Sequence, residues 1–303
     1  MSHGHNHGTV TGAHRGRLVA VLAFTVAVLV IEAVGAVLSG SLALLADAGH
    51  MATDAAGVTM ALIAITLAQR APTARRTFGW QRAEILAAVI NAVLLFGLAL
   101  YILVEAVRRL LDPPEVASTL MLVVAVIGLV ANTASLLLLH RAQSESLNIR
   151  GAYLEVLGDL VGSVAVVVAA VVIAATGWVA ADAVASIAVG VVILPRAWVL
   201  LRDAVDVLLE TAPKGVDLDH VRDHICCVAG VLEVHDLHAW TITSGLPVLS
   251  AHVVVDDATI AGGQTGKVLD ALRACLAHHF DVEHSTFQIE SVEHRGHEGA
   301  VHD

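Results

Sequence analysis

The chain has 303 residues, of which 57% are hydrophobic and only 15% charged, with a mean hydropathy of +0.77 and a formal net charge of −11. Such apolar content excludes an ordinary soluble domain and places most of the chain in a lipid bilayer. The acidic balance argues against nucleic acid as a partner, because phosphate binding needs a basic face, and it suits divalent cations instead.

In chain order, the opening stretch MSHGHNHGTVTGAH is polar and carries His3, His5, His7 and His14. It lacks the apolar core and small-residue cleavage site of a signal peptide, so residues 1–17 are expected to stay as a His-rich cytoplasmic tail. Six apolar blocks follow: Leu18 to Leu38, Leu42 to Leu67, Ala83 to Val107, Thr119 to Leu139, Ala152 to Ala175 and Val179 to Leu201. Each reaches the roughly 20 helical residues that cross a hydrocarbon core. Residues 18–210 therefore read as a six-helix transmembrane domain. Arg15, Arg17, Arg70, Arg75, Arg76, Arg82, Arg141, Arg150, Arg196 and Arg202 fall on one side of this arrangement, and only Arg108 and Arg109 on the other. The positive side is cytoplasmic, and six crossings leave both termini there, as expected of a multi-pass plasma-membrane protein. Arg over Lys and Ala/Val-rich usage hints at a GC-rich bacterial genome.

Beyond Glu210 the segment TAPKGVDLDH ends the hydrophobic run. From Asp203 onward there are 5 basic against 17 acidic residues, whereas the chain through Arg202 has 12 against 11. Residues 211–293 read as a soluble domain: a helix at Leu218 to Val228, a strand at Val231 to Thr243, a turn at Ser244-Gly245-Leu246-Pro247 and a strand at Val248 to Val255. A helix at Gly266 to Phe280 and a strand at Thr286 to Val292 complete it. The order αββαβ predicts a two-layer α+β domain. Residues 294–303, with His294, His297 and His302, form a second His-containing tail. Cys226, Cys227 and Cys275 are an odd set on the cytoplasmic side, which favours reduced thiols packed in two helices over disulfides.

Two pairs of polar residues interrupt the spans. His50 and Asp54 are four residues apart in LLADAGHMATDAAG, and Glu155 and Asp159 in AYLEVLGDLVGS. On helices, each pair projects from one face. Ionisable groups in a bilayer are kept where they pair, line a wet cavity or bind something. Four converging donors match the tetrahedral coordination of a transition metal. The imidazole suits Zn²⁺, while three carboxylates shift preference towards Mn²⁺, Fe²⁺ or Co²⁺. An empty site would take up protons that metal binding then releases, which makes metal/proton antiport a natural consequence. A membrane metal sensor that transports nothing is the other reading.

Glu32, Asp47, Asn91, Glu105, Asn132 and Asp182 are the remaining polar residues of the spans. Asn91 and Asn132 read either as interhelical hydrogen-bonding groups or as part of the transport route. Asp47, near the outer membrane end, reads as a support for the site, part of an exit path or a cap. In the soluble domain His235, His238, His252, His284 and Glu290 form a second candidate metal set. On a regular strand residues 235 and 238 face opposite ways, so both serve one site only if the strand bends or a second subunit takes part. The chain has no G-x-x-x-x-G-K-[ST] and no H-E-x-x-H, so neither ATP-driven pumping nor hydrolysis finds support, and no enzymatic activity is expected.

SLALLADAGHMATDAAG, FGWQRAEILAAVINAV, AYLEVLGD, GWVAADAVASIAVG and VHDLHAWTITSG with LSAHVVV closely resemble the cation diffusion facilitators, in order and over nearly the whole chain. The resemblance implies a six-helix membrane domain with a cytoplasmic ferredoxin-like domain. It also implies a homodimer and efflux of Zn²⁺, often with Co²⁺ or Cd²⁺, in exchange for protons by alternating access. It places the transported ion on His50, Asp54, Glu155 and Asp159. Zinc-transporting members commonly have His where this chain has Glu155. The family's His-bearing site between the second and third helices has no counterpart here. Its cytoplasmic-domain site, a possible regulatory Zn²⁺ site, falls approximately on His235 or His238, His252, His284 and Glu290.

Overall fold

The structure, a computed structural model, describes residues 12–140, 147–279 and 284–297. Six long helices come first: α1 Gly12–Ser39, α2 Leu42–Ala68, α3 Ala83–Leu111, α4 Ser118–His140, α5 Leu147–Thr176 and α6 Ala180–Leu208. The first five expected spans lie inside the corresponding helices, and the sixth begins one residue before α6, at Val179. Five of them, α2 to α6, are long and apolar enough to cross a bilayer over their described residues, and α1 is described in its apolar part from Thr25 to Ser39.

The chain divides into two compact units, Met1–Leu62 with Ile90–Leu201 and Ile63–Val89 with Arg202–Asp303. In the first unit the buried seams are built largely from small residues. Ala43, Ala125, Ala169, Ala170 and Ala185 meet in one cluster around Leu44, Met121 and Val166, and Ala46, Ala99, Ala106, Ala183 and Ala197 in another around Leu95 and Ile102. Alanine lets helix backbones approach closely, which is how helices pack where lipid removes most of the hydrophobic drive. The large side chains point outward instead: Val30, Val34, Leu62, Ile90, Val130 and Val192 are all exposed. Water would disfavour that surface; a hydrocarbon core suits it.

α1 and α2 are separated by Gly40, whose φ of +73° takes the left-handed conformation that ends a helix. The start of α2 is closed from another helix. Asp182, only 2% exposed on α6, accepts hydrogen bonds from Ser41 Oγ at 2.6 Å, Leu42 N at 2.8 Å and Ala43 N at 3.2 Å. A carboxylate over unsatisfied amides at a helix N-terminus is favoured by both the hydrogen bonds and the helix dipole.

The second unit holds α7 Leu218–Cys226, β1 Val231–Thr241, β2 Pro247–Val255, α8 Asp257–Ala261, α9 Thr265–His279, β3 His284–Ser291 and α10 Val292–Arg295. Asp217 caps α7 by accepting from Asp219 N and His220 N. The sheet order is β1-β2-β3, with β1 and β2 antiparallel and β2 and β3 parallel across α9. Val221 and Ile225 of α7 and Val268, Leu272 and Leu276 of α9 pack on Val234, Leu249, Ala251 and Val253 of the sheet. This is the expected two-layer αββαβ domain, with two short helices, α8 and α10, added. Cys226 and Cys227 depart from expectation: both are exposed rather than packed, because they sit at the end of α7 past its buried Val221 and Ile225 face. All three thiols are free. Partial desolvation pushes the Cys226 and Cys275 thiols above their ordinary range.

Candidate metal centres

The first cluster forms where α2 meets α5. The 3.6-residue period puts His50 and Asp54 on one face of α2, with His50 Nε2 3.5 Å from Asp54 Oδ2. From α5, Asp159 Oδ1 approaches the same imidazole nitrogen to 3.0 Å. His50 is 6% exposed, and one ligand atom from each of the three residues lies within 4.8 Å of the others. His50 Nδ1 is buried with no hydrogen-bond partner among the described residues, while Thr53 Oγ1 donates to the His50 carbonyl at 2.8 Å. A cavity of about 100 Å³ opens beside the cluster, lined by Asp47, His50, Gly158, Asp159, Gly162 and Arg196 among others. Glu155 lies on α5 four residues before Asp159, and its side chain is outside the described residues.

Asp47, one turn before His50, is 4% exposed and accepts from Ser163 Oγ at 3.3 Å. Ser163 Oγ in turn accepts from Asn132 Nδ2 at 2.9 Å. Asn132 is thus an interhelical hydrogen-bond donor, and Asp47 is tied to α5 while lining the same cavity as His50 and Asp159. Asp182 is the α2 cap already described. Glu105 is paired with Arg109 Nε at 3.2 Å.

The second cluster spans all three strands of the tail domain. Register places His235 opposite His252, and Val254 opposite Glu290. His235 Nε2 lies 3.1 Å from Glu290 Oε2. His252 Nδ1 lies 2.8 Å from Glu290 Oε1. The two imidazole rings meet edge to face, 5.0 Å apart. Glu290 is 3% exposed, and Gln288 Nε2 donates to its Oε1 at 2.7 Å. Again three donor atoms lie within 4.8 Å of one another.

The strand bend that a shared role for His235 and His238 requires is present. Asp236 has φ +49°, and the register slips between His235 and His238. That bulge adds one residue on β1 against β2. Its beneficiary is Asp236 itself: Oδ1 accepts from His238 Nε2 at 2.9 Å, and Oδ2 lies 3.6 Å from His252 Nε2. Sequence reasoning passed over Asp236, and a polar residue between two histidines of a strand was the one available signal. His238 thus joins the cluster through Asp236. His284 is exposed and pairs with Val248, six residues from Glu290 along β3, or about 20 Å at strand spacing. This chain's own fold does not bring it to the other ligands.

Comparison with known proteins agrees with this layout. The profile of the cation efflux transmembrane domain matches residues 18–209, and that of the cation efflux protein cytoplasmic domain matches residues 213–292. The chain belongs to the cation efflux family. These are the cation diffusion facilitators its motifs resemble, and membership makes the chain a multi-pass membrane protein. It is 47% identical over 290 residues to the metal cation efflux system protein CzcD of Cupriavidus metallidurans, covering 96% of this chain and 90% of that one. It is 41% identical over 298 residues to the zinc transporter ZitB of Escherichia coli, with 96% and 93% covered. It is 40% identical over 300 residues to the cadmium, cobalt and zinc/H(+)-K(+) antiporter of Bacillus subtilis, with 98% and 95% covered.

Proposed function

We propose that this chain exports Zn²⁺, and with it Co²⁺ or Cd²⁺, from the cytoplasm in exchange for protons. It does so as a homodimer in the plasma membrane with both termini inside. The observation that carries this reading is the meeting of a buried His50 with the half-buried Asp54 and Asp159 across two apolar helices long enough to span a bilayer. Borderline imidazole nitrogen with carboxylate oxygens is a donor set for first-row divalent ions. Glu155, from its place on α5, supplies the fourth ligand. The names of the relatives support zinc-class ions over Mn²⁺ or Fe²⁺ and support transport over sensing.

Metal and protons compete for the same atoms. In the absence of the ion, the His50 imidazole and its facing carboxylates share protons; the ion displaces them, and their return releases it. The cytoplasmic-domain match, with its dimerisation role, supports the homodimer. In that domain His235, His252 and Glu290 hold a regulatory Zn²⁺. Two imidazole nitrogens and a carboxylate oxygen fit that ion, with Asp236 orienting His252 from behind.

The deciding experiment is uptake by purified full-length protein in liposomes with an imposed pH difference. Zn²⁺, Co²⁺ and Cd²⁺ are expected to move against protons, and Mn²⁺ and Fe²⁺ far less. Equal transport of Mn²⁺, or metal binding without flux of either metal or protons, would overturn the reading.

A further inference from the structure

The loop that joins α2 to α3, residues 69–82, takes part in neither metal cluster. Between Asp54 and Glu84 the sequence has no acidic residue, and within the loop stand Arg70, Arg75, Arg76 and Arg82 with Phe78 and Trp80. The loop is folded rather than slack. Thr73 and Arg76 exchange backbone hydrogen bonds at 3.0 and 2.9 Å, and Gly79 N donates to the Arg76 carbonyl at 3.0 Å. With φ +66°, Gly79 turns back beside the start of the loop, where a Cβ on it would stand 3.5 Å from the Arg70 carbonyl oxygen. The Arg76 guanidinium lies 3.8 Å over the Trp80 ring. Arg82 is tied down, its Nη2 2.7 Å from Glu210 Oε1. Among the described residues Arg70, Arg75 and Arg76 have no carboxylate partner, although the acidic tail domain belongs to the same compact unit. Residues 69–78 are exposed without a break, Phe78 among them at 46%.

We propose that this loop is a binding surface for anionic phospholipid headgroups, with Arg70, Arg75 and Arg76 on the phosphates and Phe78 in the headgroup layer. Its place follows from the helices it joins. Both α2 and α3 are apolar and long enough to cross a bilayer, and α2 ends at Ala68, two residues before Arg70. The loop therefore lies at the bilayer surface, where basic side chains are drawn to anionic lipid. Guanidinium groups grip phosphate oxygens through two N–H groups at once, and aromatic rings settle at the boundary between hydrocarbon and water. Because the turn is already formed, little ordering opposes the contact. A second copy of the chain suits this surface less well: set against itself across a two-fold axis, the loop would face arginine with arginine. Lipid contact here is independent of which ion the membrane cluster carries.

Tryptophan quenching in the full-length protein provides the test. The protein is reconstituted into phosphatidylcholine vesicles that contain a small, equal fraction of either phosphatidylglycerol or phosphatidylcholine brominated high on its acyl chains. Subtracting the signal of Trp80→Phe isolates Trp80, which sits beside the arginines. In wild type, brominated phosphatidylglycerol should quench Trp80 about fivefold more effectively than brominated phosphatidylcholine, the enrichment that one surface arginine supports. Replacing Arg70, Arg75 and Arg76 together by Gln should bring the ratio to about one. Where that variant does not fold, Arg75→Gln, whose side chain has no ion pair to lose, should still lower the ratio. Equal quenching by the two lipids in wild type, or a preference unchanged in the arginine variants, overturns the proposal. So does the absence of quenching by either lipid, which would put the loop against protein, whether the tail domain or a second copy. Millimolar inorganic phosphate should leave the ratio unchanged; its loss would overturn lipid binding in favour of soluble phosphate.

Discussion

The two clusters use similar donors on opposite scaffolds. On α2, His50 and Asp54 share a face because the helix repeats every 3.6 residues, so half of that site is encoded within one turn of chain. In the tail domain His235 and Glu290 are 55 positions apart and meet only because two strand registers align them across β2. A helical half-site survives any change elsewhere that leaves the helix intact. A site shared among strands depends on every pairing, and a one-residue slip would turn its side chains to the other face.

The comparison is broken most decisively at the membrane cluster. His50→Ala or Asp159→Ala should lower Zn²⁺ flux into vesicles by about 100-fold or more, since losing a ligand exceeds the 10- to 100-fold cost of losing a group that merely supports one. The tail cluster should still bind metal in these variants, as read by isothermal titration. Glu290→Gln should do the converse. Two imidazoles lose their shared carboxylate, tail-domain Zn²⁺ affinity falls by about 100-fold in chelator competition, and vesicle flux at saturating metal persists. Asp236→Asn sharpens the picture further. Asn tolerates the left-handed backbone, so circular-dichroism melting should hold while affinity drops about tenfold through loss of the charge behind His252. The smallest effect is expected from His284→Ala, which should leave tail-domain affinity within about twofold. A larger loss would mean that the partner subunit brings its own His284 to the site.

Much of this architecture is legible without coordinates, for identifiable reasons. Spans are readable because a bilayer demands long apolar helices, and all six fall where the hydropathy puts them. The αββαβ order is readable because alternation on β1 and β2 and the apolar stripe on α9 have different periods. His50 with Asp54 is readable for the same reason. Asp236 was not, because its importance comes from a bulge and a positive φ, which no spacing rule announces in a strand that otherwise alternates. His284 looked equivalent to Glu290 in sequence and differs from it only by its position along β3. Asp182 was visible as a polar residue in a span, but its partners are some 140 positions away, and only the packing of α6 on α2 reveals them.

That carboxylate has a mechanical consequence. Asp182 grips Ser41, Leu42 and Ala43 together, so α2 cannot slide or twist against α6 without surrendering three bonds in one step. The helix that carries His50 is therefore latched at its N-terminal end. On the transport reading proposed above, α2 and α6 would swing together as a single lever while α5 changes its angle to them, a hinge rather than a piston.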